Sequence, residues 1–410
     1  MRPMLDHRQP PCIVLGLETQ IGLCVVRELG RAGVRVIGIA QEGGAIGRSS
    51  RYLTASIVVA EPRSELLVQA IRAIGERYGP CPLLAISETN LSWLAANRDA
   101  FGQVTPVLPQ SAALRVVLDK QATLEAARAV GISTPVSIQP RAGWQLDELL
   151  TQCRLPVVLK WSDPNSVVTE LERHGLSLCK AEYVHAPAEL RAALERYSPL
   201  GKWPLIQEYC GGYGLGQFFF MHDGKALRRF QHRRVAEWPP EGGFSSVCDG
   251  VPLDQHADLQ TQSIALLKAI GWQGVAIVEY RYDPVRREAK LMEINGRFWG
   301  SFPLAFYSGA GFALLSYRQA LGLPMDGLPA PRCDLRCRMV ATELKRLVRI
   351  VLQPGQIADS IFTVQPWREI CRFVVDFFRP NVRYYVWSAD DPRPFFADLR
   401  NLIRSVLRCS

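Results

Sequence analysis

Short apolar runs alternate with stretches of helical spacing over the first hundred residues. Residues 12–17, 34–39, 56–59 and 83–86 are brief runs of Ile, Val, Leu and small residues, the pattern of strands covered on both faces. Residues 21–29 repeat apolar positions at helical spacing and close on Gly33, a C-cap candidate, and a second helix is predicted over 65–78. This β-α-β alternation predicts an open parallel sheet with a ligand crevice at the carboxyl ends of its strands. The first turn, Gly16-Leu-Glu-Thr-Gln-Ile-Gly22, has two glycines and no G-x-G-x-x-G, and Gln41-Glu42 only loosely supplies an acidic residue after the second strand. A nicotinamide-dependent reading is therefore weakly supported.

From residue 111 the texture becomes mixed. Lys120 opens a helix ending at Gly131, residues 156–160 form a strand ending in Lys160, and further strands are expected over 176–180 and 205–209, with a helix over 189–196. Strands over 217–221 and 226–234 flank His222-Asp223-Gly224-Lys225, a hairpin signal. A helix over 254–270 precedes strands over 275–282 and 290–295, joined through Asp283-Pro284. After 325 the chain reads as mainly helical, broken by Pro354-Gly355 and Asp390-Asp-Pro-Arg-Pro394. The expected organisation is an α/β domain over 1–110, an α+β domain over 111–325 whose two halves split near 200–212, and a helical segment over 326–410.

Composition supports sizeable cores: 48% of residues are hydrophobic and 21% charged, with mean hydropathy +0.01. That excludes a mainly disordered or collagen-like chain. No apolar stretch is long enough to span a bilayer, and Met1–Pro11 does not read as a secretory signal. Eleven cysteines without a framework suit a reducing cytoplasm. The net charge is +9, and residues 331–410 hold 14 Lys/Arg against 8 Asp/Glu, so most of the excess lies in the tail. Such a basic, aromatic tail usually packs on its neighbour with a solvated face; peripheral contact with an anionic membrane is the next reading and nucleic acid the weakest.

Candidate chemistry concentrates in Leu291-Met-Glu-Ile-Asn-Gly-Arg297. In an extended strand Glu293, Asn295 and Arg297 would project from one face. A carboxylate, an amide and a guanidinium together suit a hard cation and an anionic phosphate. Glu279 closes an apolar strand 14 residues earlier. If the two strands pair antiparallel, both glutamates converge and can hold Mg²⁺ bound to nucleotide phosphates.

Glu279 followed by Glu-x-Asn-x-Arg resembles the metal-binding end of the ATP-grasp superfamily, and other motifs follow in the same order. Lys120 and Lys160 resemble its two phosphate-binding lysines. Gln207-Glu208-Tyr209-Cys210 resembles the hinge that holds adenine and ribose, and the first hundred residues resemble the domain that precedes the ATP-grasp fold. Within the superfamily, the chain looks like the ATP-dependent carboxylate–amine ligases related to carbamoyl-phosphate synthetase and biotin carboxylase. The resemblance implies ATP and two Mg²⁺ (or Mn²⁺) ions as cofactors, with Glu279, Glu293 and Asn295 as metal ligands. It also implies small-molecule carboxylate and amine substrates, an acyl-phosphate intermediate, a cytoplasmic location, and room for a homo-oligomer. Arg297 is expected at the phosphates, and Arg233 or Arg234, ahead of Gly242-Gly243, is expected to receive the carboxylate.

One departure concerns the loop that closes over the phosphates. Residues 161–175 have a single glycine and read as a polar lid rather than a phosphate cradle, and Gly211-Gly-Tyr-Gly-Leu-Gly216 reads as a hinge turn. The rival reading is a non-catalytic nucleotide-binding assembly or membrane-peripheral protein that keeps this fold.

Overall fold

The computed structural model describes residues 9–409 apart from 162, 163, 180, 360 and 361. Among these, the strands form three sheets. Strands β1 (Cys12–Leu15), β2 (Val36–Ala40), β3 (Ala55–Val58), β4 (Cys81–Ala85) and β5 (Val104–Pro106) make a sheet of order β3-β2-β1-β4-β5, with every pairing parallel. That is the expected open sheet. Its first turn uses glycine for packing: a Cβ on Gly22 would stand 1.9 Å from the carbonyl oxygen of Gly16. The two glycines thus bring helix and strand together, and no dinucleotide fingerprint is needed to explain them.

A second sheet, β6 (Ser137–Ile138), β7 (Val157–Lys160), β8 (Glu182–Val184) and β9 (Leu205–Glu208), has the order β6-β9-β7-β8. One face, with Val157, Leu159 and Ile206, builds a separate core with helices Leu146–Gln152, Pro164–Arg173 and Pro187–Arg196. Two local expectations differ in this unit. Much of the expected loop over 161–175 is the helix Pro164–Arg173, because Val167 and Leu171, one turn apart, are buried in that core. Ser162 and Asp163 of that loop lie outside the described residues. Residues 176–179 have no strand and Lys180 lies outside the described residues; the strand pairing with β7 is Glu182–Val184.

The third sheet comprises β10 (Tyr213–His222), β11 (Lys225–Trp238), β12 (Phe244–Gly250), β13 (Gly274–Asp283), β14 (Glu288–Asn295), β15 (Arg336–Arg338) and β16 (Val382–Tyr384). The order is β14-β13-β10-β11-β12-β15-β16. The hairpin between β10 and β11 turns on Asp223 and Gly224, both at positive φ (48° and 72°), as a two-residue primed turn requires.

The segment after 325 departs from a purely helical one. Besides helices Val340–Leu352, Pro366–Val375 and Arg393–Cys409, it adds β15 and β16 to the edge of the third sheet. It is also anchored to the first domain: buried Arg27 donates to buried Asp391 at 3.0 Å, and Ser50 donates to the same carboxylate at 2.7 Å. One core runs through all three regions, joining Val14 and Leu23 to Phe218 and Trp299 and on to Cys337 and Tyr385. Part of the basic tail is thus built into the fold.

Candidate functional site

The chain passes from the second sheet to the third between Glu208 and Tyr213, and the polar faces of the two sheets meet across a cleft. On the second sheet, residues opposite the core face are Val158, Lys160, Leu205 and Gln207. Lys160 and Gln207 meet there, Lys160 Nζ donating to Gln207 Oε1 at 3.4 Å. Burial lowers the pKa of Lys160 to about 8, with a further push from neighbouring Lys120 and an opposing pull from Glu293. Lys120 starts the helix Lys120–Ala129, whose N-cap Asp119 accepts from the backbone of Gln121 and Ala122.

On the third sheet, β13 and β14 do pair antiparallel, and Glu279 stands directly opposite Glu293. Asn295 Nδ2 donates to Glu279 Oε1 at 3.3 Å and to Glu293 Oε1 at 3.0 Å. Their environments separate the two carboxyls. Burial raises the pKa of Glu279, Arg234 opposes this, and the like charge of Glu293 adds to it. Desolvation also acts on Glu293, but Lys120, the Asn295 amide, Arg234 and Lys160 outweigh it and lower its pKa. Lys160 on the second sheet and Lys120, on a helix that packs against β14, therefore both act on Glu293.

A bulge shapes this face. The β13–β14 register shifts between Glu279 and Tyr280, so Lys290 pairs with Arg281 although Glu293 pairs with Glu279. Strict alternation would put Lys290 on the opposite face from Glu293; the bulge returns it to the cleft. There Lys290 pairs with Glu208 of the other sheet, whose second oxygen accepts from the Val136 backbone at 3.1 Å. Glu208 of the expected hinge is thus tied across the cleft. Its neighbour Tyr209 stacks edge-on with Tyr183 at 6.2 Å, and burial with a hydrogen bond to Asp359 pushes its hydroxyl up to about 12. Burial likewise pushes the Cys210 thiol up to about 11.

The structure redistributes the arginines. Strand β14 ends at Asn295, so Arg297 lies beyond it and does not continue the Glu293–Asn295 face. Its Nε is 3.7 Å from Glu88 Oε2, and it lines a cavity of about 220 Å³ with Leu84, Thr105, Phe298 and Ser316. Its positive charge still acts on Glu279. Arg233 points away from the cleft and pairs with Asp249 at 3.4 Å. Arg234 faces the cleft but is committed: it pairs with Glu279, donates to Glu237 at 3.1 Å and to the Gly243 carbonyl at 2.8 Å. Glu237 in turn accepts from Arg281 at 3.0 Å. Arg234 therefore acts as the counter-charge of Glu279, and the role of carboxylate receiver does not fit it.

Arg234 reaches Glu279 across the intervening strand because that strand has no side chain in the way. A Cβ on Gly214 would fall 2.6 Å from Arg234 Cδ, and one on Gly216 would fall 2.5 Å from the His232 ring. The supposed hinge glycines Gly214 and Gly216 thus lie inside β10 and lower the sheet surface. His232, buried over Gly216 and bonded to Ser301 Oγ at 3.1 Å, has its pKa lowered to about 3 by burial and then by Arg234. Sequence reasoning passed over His232, Glu237, Arg281 and Lys290. Glycines alternating with β10 positions were the available signal for the first, and Arg281, two residues beyond Glu279, for the third.

Two carboxylates and an amide offer oxygen donors of the kind a hard divalent cation takes. Asn295 keeps its shape when its amide is turned over, so its oxygen can join them. Among the described residues no group of three or more His, Cys, Asp or Glu side chains gathers for an ion. A cation here would complete its shell with water and phosphate oxygens, as Mg²⁺ at nucleotides does. The residues fit.

No family model matches this chain, and no curated protein matches it. Solved structures do. The chain is similar to Rhizobium etli pyruvate carboxylase, with TM-score 0.60 and 15% identity, covering 80% of this chain but spanning only 30% of that one. It is similar to the biotin carboxylase domain of Hydrogenobacter thermophilus 2-oxoglutarate carboxylase, seen with MgADP, ADP and bicarbonate. There the TM-score is 0.61 at 14% identity, covering 80% of this chain and 74% of that one. L-amino acid ligase from Bacillus licheniformis gives TM-score 0.55 at 15% identity, covering 77% and 75%. The fold is the ATP-grasp fold that the ordered motifs led us to expect.

Proposed function

We propose that this protein is an ATP- and Mg²⁺-dependent ligase that joins a carboxylate to an amine. The observation that carries the reading is the Glu279–Glu293 cross-strand pair, bridged by Asn295 and faced by Lys120 and Lys160. A free carboxylate resists amide formation because its leaving group would be oxide. Transfer of the γ-phosphoryl group of ATP to a carboxylate oxygen breaks the β–γ bridge, releases ADP and gives an acyl phosphate. The amine then attacks the acyl carbon, phosphate leaves with the former carboxylate oxygen, and the amine proton passes to solvent or phosphate.

The protein's part is positioning and charge. Lys160, on the second sheet, and Lys120, on the helix packed against β14, would neutralise phosphate oxygens. Glu279, Glu293 and Asn295 would hold the Mg²⁺, which would supply positive charge to offset that of the phosphates. Arg234 and Glu237 fix Glu279 in place. Arg297, whose charge acts on Glu279 and which lines the 220 Å³ cavity, is the arginine we assign to the acid. The similar enzymes include one named for joining amino acids and one seen with MgADP and bicarbonate, which supports this class of reaction. The direct test is a screen of pooled carboxylic acids and amines for stimulated ADP release. A chain that binds ATP tightly while no pool stimulates release would be the non-catalytic nucleotide binder instead.

Lys160 gives a pH test of the nucleotide site. With its pKa lowered to about 8, the free protein loses this charge as pH rises through 8, whereas bound phosphates favour the charged form. ATP binding between pH 8 and 9 should therefore take up protons, and affinity should fall as pH rises across that interval. Calorimetry in buffers of different ionisation enthalpy measures the uptake, and Lys160→Met should remove it. An uptake unchanged in that variant would take Lys160 out of the site.

A further inference from the structure

The two helices that follow β15 are built inside out. On Val340–Leu352 the residues turned to the body are Thr342, Glu343, Arg346, Leu347 and Ile350, all buried. At 100° per residue, Leu344, Val348, Val351 and Leu352 fall on the far side, and all are exposed, Leu352 by 73%. The helix Pro366–Val375 and the turn after it repeat the arrangement. Glu369 and Asp376 face inward and pair with Arg346, Arg372 and Arg336. Trp367, Val374, Val375 and Phe378 share the outward stripe, with Trp367 73% and Phe378 83% exposed. Ion pairs lie in the seam and aromatic and aliphatic side chains lie in the solvent, the reverse of an ordinary surface helix.

Charge on this face has one sign. The carboxylates of residues 340–379 are Glu343, Asp359, Glu369 and Asp376, and their side chains are 0–12% exposed. Lys345, Arg368 and Arg379 are exposed. A second copy of the chain meeting this face about a twofold axis would set these cations against each other with no exposed carboxylate between them. A nucleic acid would meet the cations but leave the aliphatic stripe without a partner. An anionic bilayer surface satisfies both, since acyl chains and headgroup boundary accept Trp, Phe, Leu and Val while phosphates meet Lys and Arg. No helix among the described residues is long and apolar enough to cross a membrane, so such contact would lie in the interface plane. We propose that the outward face of helices Val340–Leu352 and Pro366–Val375 docks this protein on anionic lipid.

Flotation of the full-length protein with vesicles tests this. The protein should float with phosphatidylcholine vesicles that contain phosphatidylglycerol and stay behind with phosphatidylcholine alone, and added salt should release it. Each of Lys345→Gln and Arg368→Gln should weaken binding about fivefold, the effect of one basic residue near a charged leaflet. Trp367→Ser with Phe378→Ser should abolish flotation while leaving the thermal midpoint unchanged, because both side chains already stand in solvent. Absence of flotation at low salt overturns the proposal. So does an oligomer in light scattering that the Trp367→Ser/Phe378→Ser variant dissociates, because the face would then be a protein interface.

Discussion

Replacing Glu293 with Gln should remove ATP turnover while leaving the fold in place. Glu293 stands open at the cleft, directly opposite Glu279, and its charge is held by Lys120, Asn295, Arg234 and Lys160. Gln keeps the shape and the bond with Asn295 but removes the charge that would hold a cation at the phosphates. The expected loss in acid-stimulated ADP release is roughly a hundredfold or more, the scale on which preorganised charge partners act. The thermal midpoint should stay near that of the parent, since an exposed side chain loses little on substitution. Turnover within a few-fold of the parent would take Glu293 out of the metal set.

The largest effect on stability should come from Arg338. Its guanidinium is fully buried, donates to Glu343 at 2.7 Å and to the Phe373 carbonyl at 3.1 Å, and lies 4.4 Å from the Phe377 ring centre. It therefore joins β15, the helix Val340–Leu352 and the helix Pro366–Val375 at one point. Arg338→Ala leaves Glu343 buried with its partner gone, which costs about 3–5 kcal/mol. Denaturation curves should show the loss, and Arg338→Met with Glu343→Leu should recover much of it, because no lone charge then remains. A single variant as stable as the parent would mean that the seam is open to water.

Which parts of this were legible in the sequence follows from how local each signal is. Strands β1, β2 and β4 of the first sheet were visible because both of their faces are covered, so they read as unbroken apolar runs, whereas the three-residue edge strand β5 went unread. The turn at Asp223-Gly224 was visible because positive φ at two positions restricts the residues there. The cleft wall was visible because Glu279 and Glu293 needed only strand pairing to meet. What stayed hidden depends on tertiary contact. Strands β15 and β16, three residues each, carry no periodicity of their own and form only because an existing sheet edge receives them. The helix Pro164–Arg173 was masked because Ser-Asp-Pro-Asn reads as a turn in sequence, whereas Pro164 takes the first position of a helix. Alternation put Arg297 beside Asn295, but the strand ends one residue after Ile294. It also hid Lys290, because a bulge cannot be seen in a single strand. Arg234 looked like a free guanidinium until its register across Gly214 placed it on Glu279.

Acid activation is the central claim, and hydroxylamine tests it most directly. This small nucleophile captures an acyl phosphate without the enzyme having to recognise the natural amine. With ATP, Mg²⁺, pooled carboxylic acids and hydroxylamine, the protein should form a hydroxamate and ADP in equal amounts, and Arg297→Ala should form neither. ATP that binds tightly yet gives no hydroxamate and no acid-dependent ADP with any pool would contradict the account and leave a nucleotide-binding protein without ligase chemistry.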